Sequence, residues 1–207
     1  MRTLIILTCL TTLCSAASSA FSSGAQTDIL KAHNDMRRKL AKAQLNVRGI
    51  KKSGASNMRQ LKWDPTLASA AQDLSAQCES VFASQNGITY LSIQNVNNDP
   101  LDGFGVSAVA SWFQTMQDFG WESNTFDAKA YTYITGASQA LWASTGAVGC
   151  GVTNCGFEEG GFEEYDNIMV VCKYSAAGNI GGQLVYNTGA ACSACPSGTT
   201  CNDGLCA

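Results

Sequence analysis

The chain has 207 residues, 45% of them hydrophobic and 14% charged, with one histidine and ten cysteines. The apolar share is enough for a real core, while a formal charge of −3 argues against a nucleic-acid partner, which needs a clustered basic excess. A single imidazole excludes any site that requires two, the His-Glu-x-x-His zinc helix among them.

In chain order, Met1-Arg2-Thr3, the apolar run Leu4 to Leu13 and the small residues Ser18-Ser19-Ala20 read as an export signal over 1–20, cleaved after Ala20. The run is too short to span a bilayer, which takes about 20 apolar residues, and no later segment approaches that length. The expected product is a secreted, extracellular chain without a membrane span. Cys9 and Cys14 leave with the signal. The remaining eight cysteines make an even set for four disulfides in an oxidising compartment, which also argues against a cysteine nucleophile.

Thr27 is the expected cap of a helix through Ile29, His33, Met36 and Leu40, which share one face. Ten basic residues fall between Lys31 and Lys62. Such a stretch is a solvated face or, alternatively, a surface for sulfated glycan. Asp64 and Pro65 open a second helix, with Leu67, Ala71, Leu74 and Cys78 on one side. Gly87 to Ile93 has strand composition. A third helix turns Val109, Trp112, Met116 and Phe119 inward and stops at Gly120; a fourth covers Ala137 to Ser144. Strands follow at Ala147–Val152 and Asn167–Tyr174, around an acidic loop over 156–166, with a further strand at Gln183–Tyr186. From Thr188 the composition turns to Gly, Ser, Thr and Cys, a tail expected to be held by disulfides because it lacks a core of its own. Helices first and strands later predict an α+β fold.

The chemistry-bearing motifs are few. His33 sits on an amphipathic face with no Gly-x-Ser-x-Gly elbow elsewhere, and reads as a hydrogen-bonded structural histidine. Cys192-x-x-Cys195 is separated from Cys201 and Cys206 too closely for a zinc ribbon, so the disulfide reading is preferred. Glu158, Glu159, Glu163, Glu164 and Asp166 lack the spacing of a calcium loop.

Four stretches together resemble a known family: His33-Asn34-Asp35-Met36-Arg37; Trp112 with Phe119-Gly120-Trp121; Gln139-Ala140-Leu141-Trp142 leading to Val148-Gly149-Cys150-Gly151; and Val171-Cys172-Lys173-Tyr174 through Gly178-Asn179. They are similar to the CAP (SCP/TAPS) superfamily, and with the tail's Gly198-Thr199-Thr200-Cys201 to its nematode SCP-like, activation-associated secreted branch. The resemblance implies a three-layer α–β–α sandwich over 21–187 with a disulfide-rich extension over 188–207. It also implies pairing of Cys78 with Cys155 and of Cys150 with Cys172. The tail allows three connectivities, of which Cys192–Cys201 with Cys195–Cys206 is preferred.

The family holds a divalent metal in a central cleft with two His and two Glu. Here those four positions fall on Phe82, Ile88, Thr115 and Gly136, none of which is a comparable ligand. The expectation is therefore no metal, no cofactor and no catalytic residue. What remains is a secreted non-enzymatic binder of a sterol, fatty acid, extracellular protein or sulfated glycan. A structural or defence component of a secretion is the alternative, and a hydrolase ranks third.

Overall fold

The computed structural model describes residues 21–79, 87–160 and 163–207. The expected signal (1–20) and Phe82 lie outside the described residues.

Helix α1 covers Ser23–Ala41, and its cap is Ser22 rather than Thr27. Ser22 Oγ accepts the Ala25 amide, whereas the Thr27 hydroxyl is already inside the helix, donating to the Ser23 carbonyl. Short strands β1 (Asn46–Val47) and β2 (Ile50–Lys51) form a ribbon, and β3 (Lys62–Trp63) leads into α2 (Pro65–Ser75). Asp64 caps α2 as expected, accepting the Thr66 and Leu67 amides. Strand β4 (Ile88–Asn95), helix α3 (Asp102–Phe119) and helix α4 (Thr135–Ala140) precede the long hairpin β5 (Ala147–Gly160) and β6 (Glu163–Ser175). The tail adds β7 (Cys201–Asn202) and β8 (Leu205–Cys206).

The main sheet has the order β3-β5-β6-β4, with β3 parallel to β5 and the other pairs antiparallel. Alternation along β6 splits the core in two. Ile168, Val170, Cys172 and Tyr174 join the large cluster with α1, α3 and α4, while Met169 and Val171 meet Ala71 of α2. Gly149 and Gly151 let α2 approach: a Cβ on either would lie 2.1 Å from Ala68 N or 2.4 Å from the Gln72 backbone.

Several sequence expectations are corrected. Phe119 ends α3 but is 55% exposed, because the last turn runs past the core and the ring stacks on Tyr133 instead. Helix α4 starts earlier and stops at Ala140, since Gln139 turns inward to serve the following loops. The acidic segment 156–166 is largely ladder, with a register shift between Asn154 and Phe157, because backbone pairing tolerates its composition. Gln183–Tyr186 makes no strand; a lone bridge joins Thr125 and Leu184, and the apolar signal there reflects the burial of Val185 and Tyr186.

All four expected disulfides are present: Cys78–Cys155, Cys150–Cys172, Cys192–Cys201 and Cys195–Cys206. The tail is more than a stapled appendage. Leu205 is fully buried in the main cluster, the Cys206 amide donates to the Met58 carbonyl, and Asp203 pairs with Arg38 and Lys42. Among the described residues, no helix is long and apolar enough to cross a membrane.

Candidate functional site: a neutral cleft above a polar layer

An open cleft of about 540 Å³ lies between the edge strand β4 and the segment that joins α3 to α4. Ile88, Thr115 and Gly136, three of the four positions singled out in the sequence, converge on it. Ile88 reaches it from the edge strand while packing against the Ala71–Met169–Val171 cluster. Thr115 donates its hydroxyl to the Trp112 carbonyl one turn back, at 2.6 Å. Gly136 is enforced by packing: a Cβ there would stand 2.6 Å from Trp112 Cδ1, so the indole fills the space a side chain would take. The rest of the wall is Thr89, Tyr90 and Leu91 from β4, Trp112, Phe126, Asn179, and the stretch from Ala128 to Thr135 that supplies Thr132 and Tyr133.

No residue of this lining is a histidine, aspartate, glutamate or cysteine. A divalent cation binds tightly where imidazole, thiolate or carboxylate converge, so this donor set does not fit one. Among the described residues the one group with metal-ligand composition is Cys192, Cys195 and Cys206, all locked in disulfides.

The polar chemistry lies one layer down. His33 is fully buried, its ring 6.4 Å from that of Trp112 in the cleft wall. Nδ1 is 2.8 Å from the Ile29 carbonyl, which can only accept, so Nδ1 carries the proton. Nε2 therefore accepts from the Tyr174 hydroxyl at 2.9 Å, and that oxygen in turn accepts from Thr89 at 3.3 Å. Burial pushes the His33 pKa from 6.5 down to about 4, against the raising effect of the Ile29 carbonyl, so the ring is neutral near pH 7. Burial likewise pushes the Tyr174 phenol up. This chain of groups is the structural histidine expected from the sequence.

Arg37, one turn on, is also fully buried and has no carboxylate partner. Its guanidinium instead donates to backbone carbonyls: Arg59 twice (2.9 and 2.8 Å), Ala140 (2.8 Å), Trp142 (3.0 Å), Thr145 (2.9 Å) and, at 3.4 Å, Ala143. Two of these cap the C-terminal end of α4, where a cation is favoured by the helix dipole. Desolvation lowers its pKa to about 9, which leaves it protonated at neutral pH. Asn34 pairs both ways with the Leu61 backbone, and Gln139 accepts the Gly178 amide at 2.7 Å. His33, Asn34, Arg37, Gln139 and Tyr174 all belong to the motifs that carry the family resemblance.

The model of the CAP family, described as the cysteine-rich secretory protein family, matches residues 30–174. The chain belongs to the CAP family. A cysteine-rich venom protein of Tityus serrulatus is 33% identical over 185 residues, covering 86% of this chain and 44% of its own length. This chain thus spans less than half of that relative. Scoloptoxin SSD43 of Scolopendra dehaani is 30% identical over 207 residues, covering 93% and 89%. Among solved structures, NaASP2 with Zn2+ matches at a TM-score of 0.75 with 23% identity, over 91% of this chain and 98% of that one. The CAP motifs here supply the buried polar layer, and the lining of the cleft above it holds no imidazole or carboxylate.

The basic stretch is not one free face. Arg37 is in the core, Arg38 and Lys42 hold Asp203, and Lys31 pairs with Asp35. Lys52 donates to the Trp121 carbonyl and Arg59 to that of Ser144, which leaves Lys39, Arg48, Lys51 and Lys62 exposed. The cleft residues Thr132 and Tyr133 carry no sequence signal beyond a run of hydroxyls and aromatics between Gly120 and α4, whereas Asn179 closes the last of the four family stretches.

Proposed function

We propose that this CAP protein works outside the cell as a non-enzymatic binder, through a central cleft that has exchanged metal ligands for neutral side chains. The observation that carries this reading is the lining itself: Ile88, Thr115 and Gly136 stand where the resemblance places ligands, and among the described residues no carboxylate or imidazole replaces them from another element. The same lining argues against hydrolysis, because threonine hydroxyls without a base are poor nucleophiles. Export is supported by the leader-like N-terminus, by four disulfides and by relatives described as venom and secretory proteins.

A bound fatty acid would place its carboxylate in a wall with no cation, and the exposed lysines left on the basic stretch do not line the cleft. An uncharged ligand, or a protein partner that inserts an uncharged group, fits better. Native mass spectrometry of the secreted protein, with and without micromolar zinc, tests the reading. The expected spectrum has no stoichiometric zinc adduct and a mature chain that begins at Phe21. One zinc per chain that is lost on Thr115→Val would overturn it.

A further inference from the structure

Tyr133 is 66% exposed yet stacks face to face on Phe119, ring centroids 4.4 Å apart and planes within 17°. Phe119 belongs to the neighbouring hollow and Tyr133 to the cleft, so Phe119 backs one face of the tyrosine and leaves the other open at the cleft mouth. An aromatic pair held flat at the mouth of a cleft is a stacking platform. Its negative ring face attracts the partly positive C–H edges of a flat aliphatic ring.

The hydroxyls behind it point to the same class of ligand. Thr115 Oγ1 donates to the Trp112 carbonyl, and Thr132 Oγ1 to the carbonyls of Ala128 and Lys129. Their protons are committed, and their lone pairs remain as acceptors facing the cleft. Asn179 is fixed in the same way, its Nδ2 donating to the Thr135 carbonyl at 2.9 Å and its Oδ1 accepting from Ser138. Three fixed acceptors in a wall without a cation favour a ligand rich in O–H donors. They disfavour sulfate, phosphate and carboxylate, which can only accept. The cleft is open, whereas a sterol or acyl chain needs about 70–90% of its surface enclosed.

We propose that the cleft binds an uncharged saccharide, with a pyranose ring stacked on Tyr133 and its hydroxyls donating to Thr115 and Thr132. This rests on the reading of the cleft as a metal-free binding site and names the ligand class for it.

The test is calorimetric titration of the full secreted chain with triacetylchitotriose, cellotriose and maltotriose, alongside palmitate, a heparin hexasaccharide and zinc. Saturable binding of at least one neutral trisaccharide, with a Kd of about 1 mM or tighter, is expected. Tyr133→Ala should weaken it by about tenfold, and Thr115→Val by about threefold. Tyr133 is exposed, so its removal leaves the core intact, which circular dichroism confirms in the same samples. No saturation by any of the three sugars, or binding unchanged in Tyr133→Ala, overturns the saccharide assignment. Palmitate or heparin binding in place of sugar overturns it too, yet leaves the metal-free binder standing. Stoichiometric zinc in the cleft overturns both.

Discussion

The floor of the cleft and the layer beneath it are chemical opposites separated by one side chain. Below Trp112 the protein buries a guanidinium, an imidazole, a phenol and two amides, each with named partners. Above it the wall carries no carboxylate, imidazole, amine or guanidinium. The comparison teaches that a charge survives burial here only where the backbone has been folded to receive it. Arg37 keeps its charge because the chain delivers five residues' carbonyls to one guanidinium. The cleft has no such arrangement, and its polar side chains are hydroxyls and the Asn179 amide.

The sharpest way to break that contrast is to remove the charge from the lower layer. Arg37→Met strands the carbonyls of Arg59, Ala140 and Thr145, takes one of two donors from that of Trp142, and should destabilise the fold by about 4 kcal/mol in urea unfolding. The second largest effect is a pH dependence. The folded pKa of His33 is lowered to about 4 from 6.5, so the unfolded chain binds this proton first. Stability from the neutral ring is complete above pH 6.5 and is lost as pH falls from there to about 4. The loss amounts to about 3 kcal/mol, since one pKa unit is worth about 1.4 kcal/mol. As the chain has one histidine, His33→Gln should flatten the unfolding free energy between pH 6.5 and 5, and an unchanged slope would refute the assignment.

Cleft substitutions should matter less to stability. Gly136→Ala drives a methyl into the Trp112 indole and should cost about 1–3 kcal/mol in thermal unfolding, as overpacking does. Thr115→Val should fall within about 0.5 kcal/mol, because the Trp112 carbonyl keeps its helix bond. If Thr115→Val proved as damaging as Arg37→Met, the two layers would not be distinct.

The lower layer was legible in the sequence and the upper one only as an absence. Helix α2 announced itself through Asp64 and Pro65, and the disulfide pairs followed from family resemblance and the cysteine count. His33 was readable as structural from its place on an apolar face. Its partner Tyr174 was not, because 141 residues separate them and no local rule couples distant hydroxyls. The composition of the cleft could be inferred at Ile88, Thr115 and Gly136 by comparing motifs. Tyr133 and Thr132 could not, since the segment before α4 has neither a helical nor a strand period. Phe119 misled differently: its helical phase points inward, but Met116 is the last buried residue of α3.

The docked tail has a further consequence, one for the order of assembly. Residues 205 and 206 are synthesised after everything they pack upon, yet Leu205 sits in the main cluster and Cys206 exchanges backbone bonds with Met58 and Gln60. The interior beside α1 therefore stays unsealed until residues 205 and 206 have been made and packed, and the Cys195–Cys206 bond then ties that closing segment to the preceding loop.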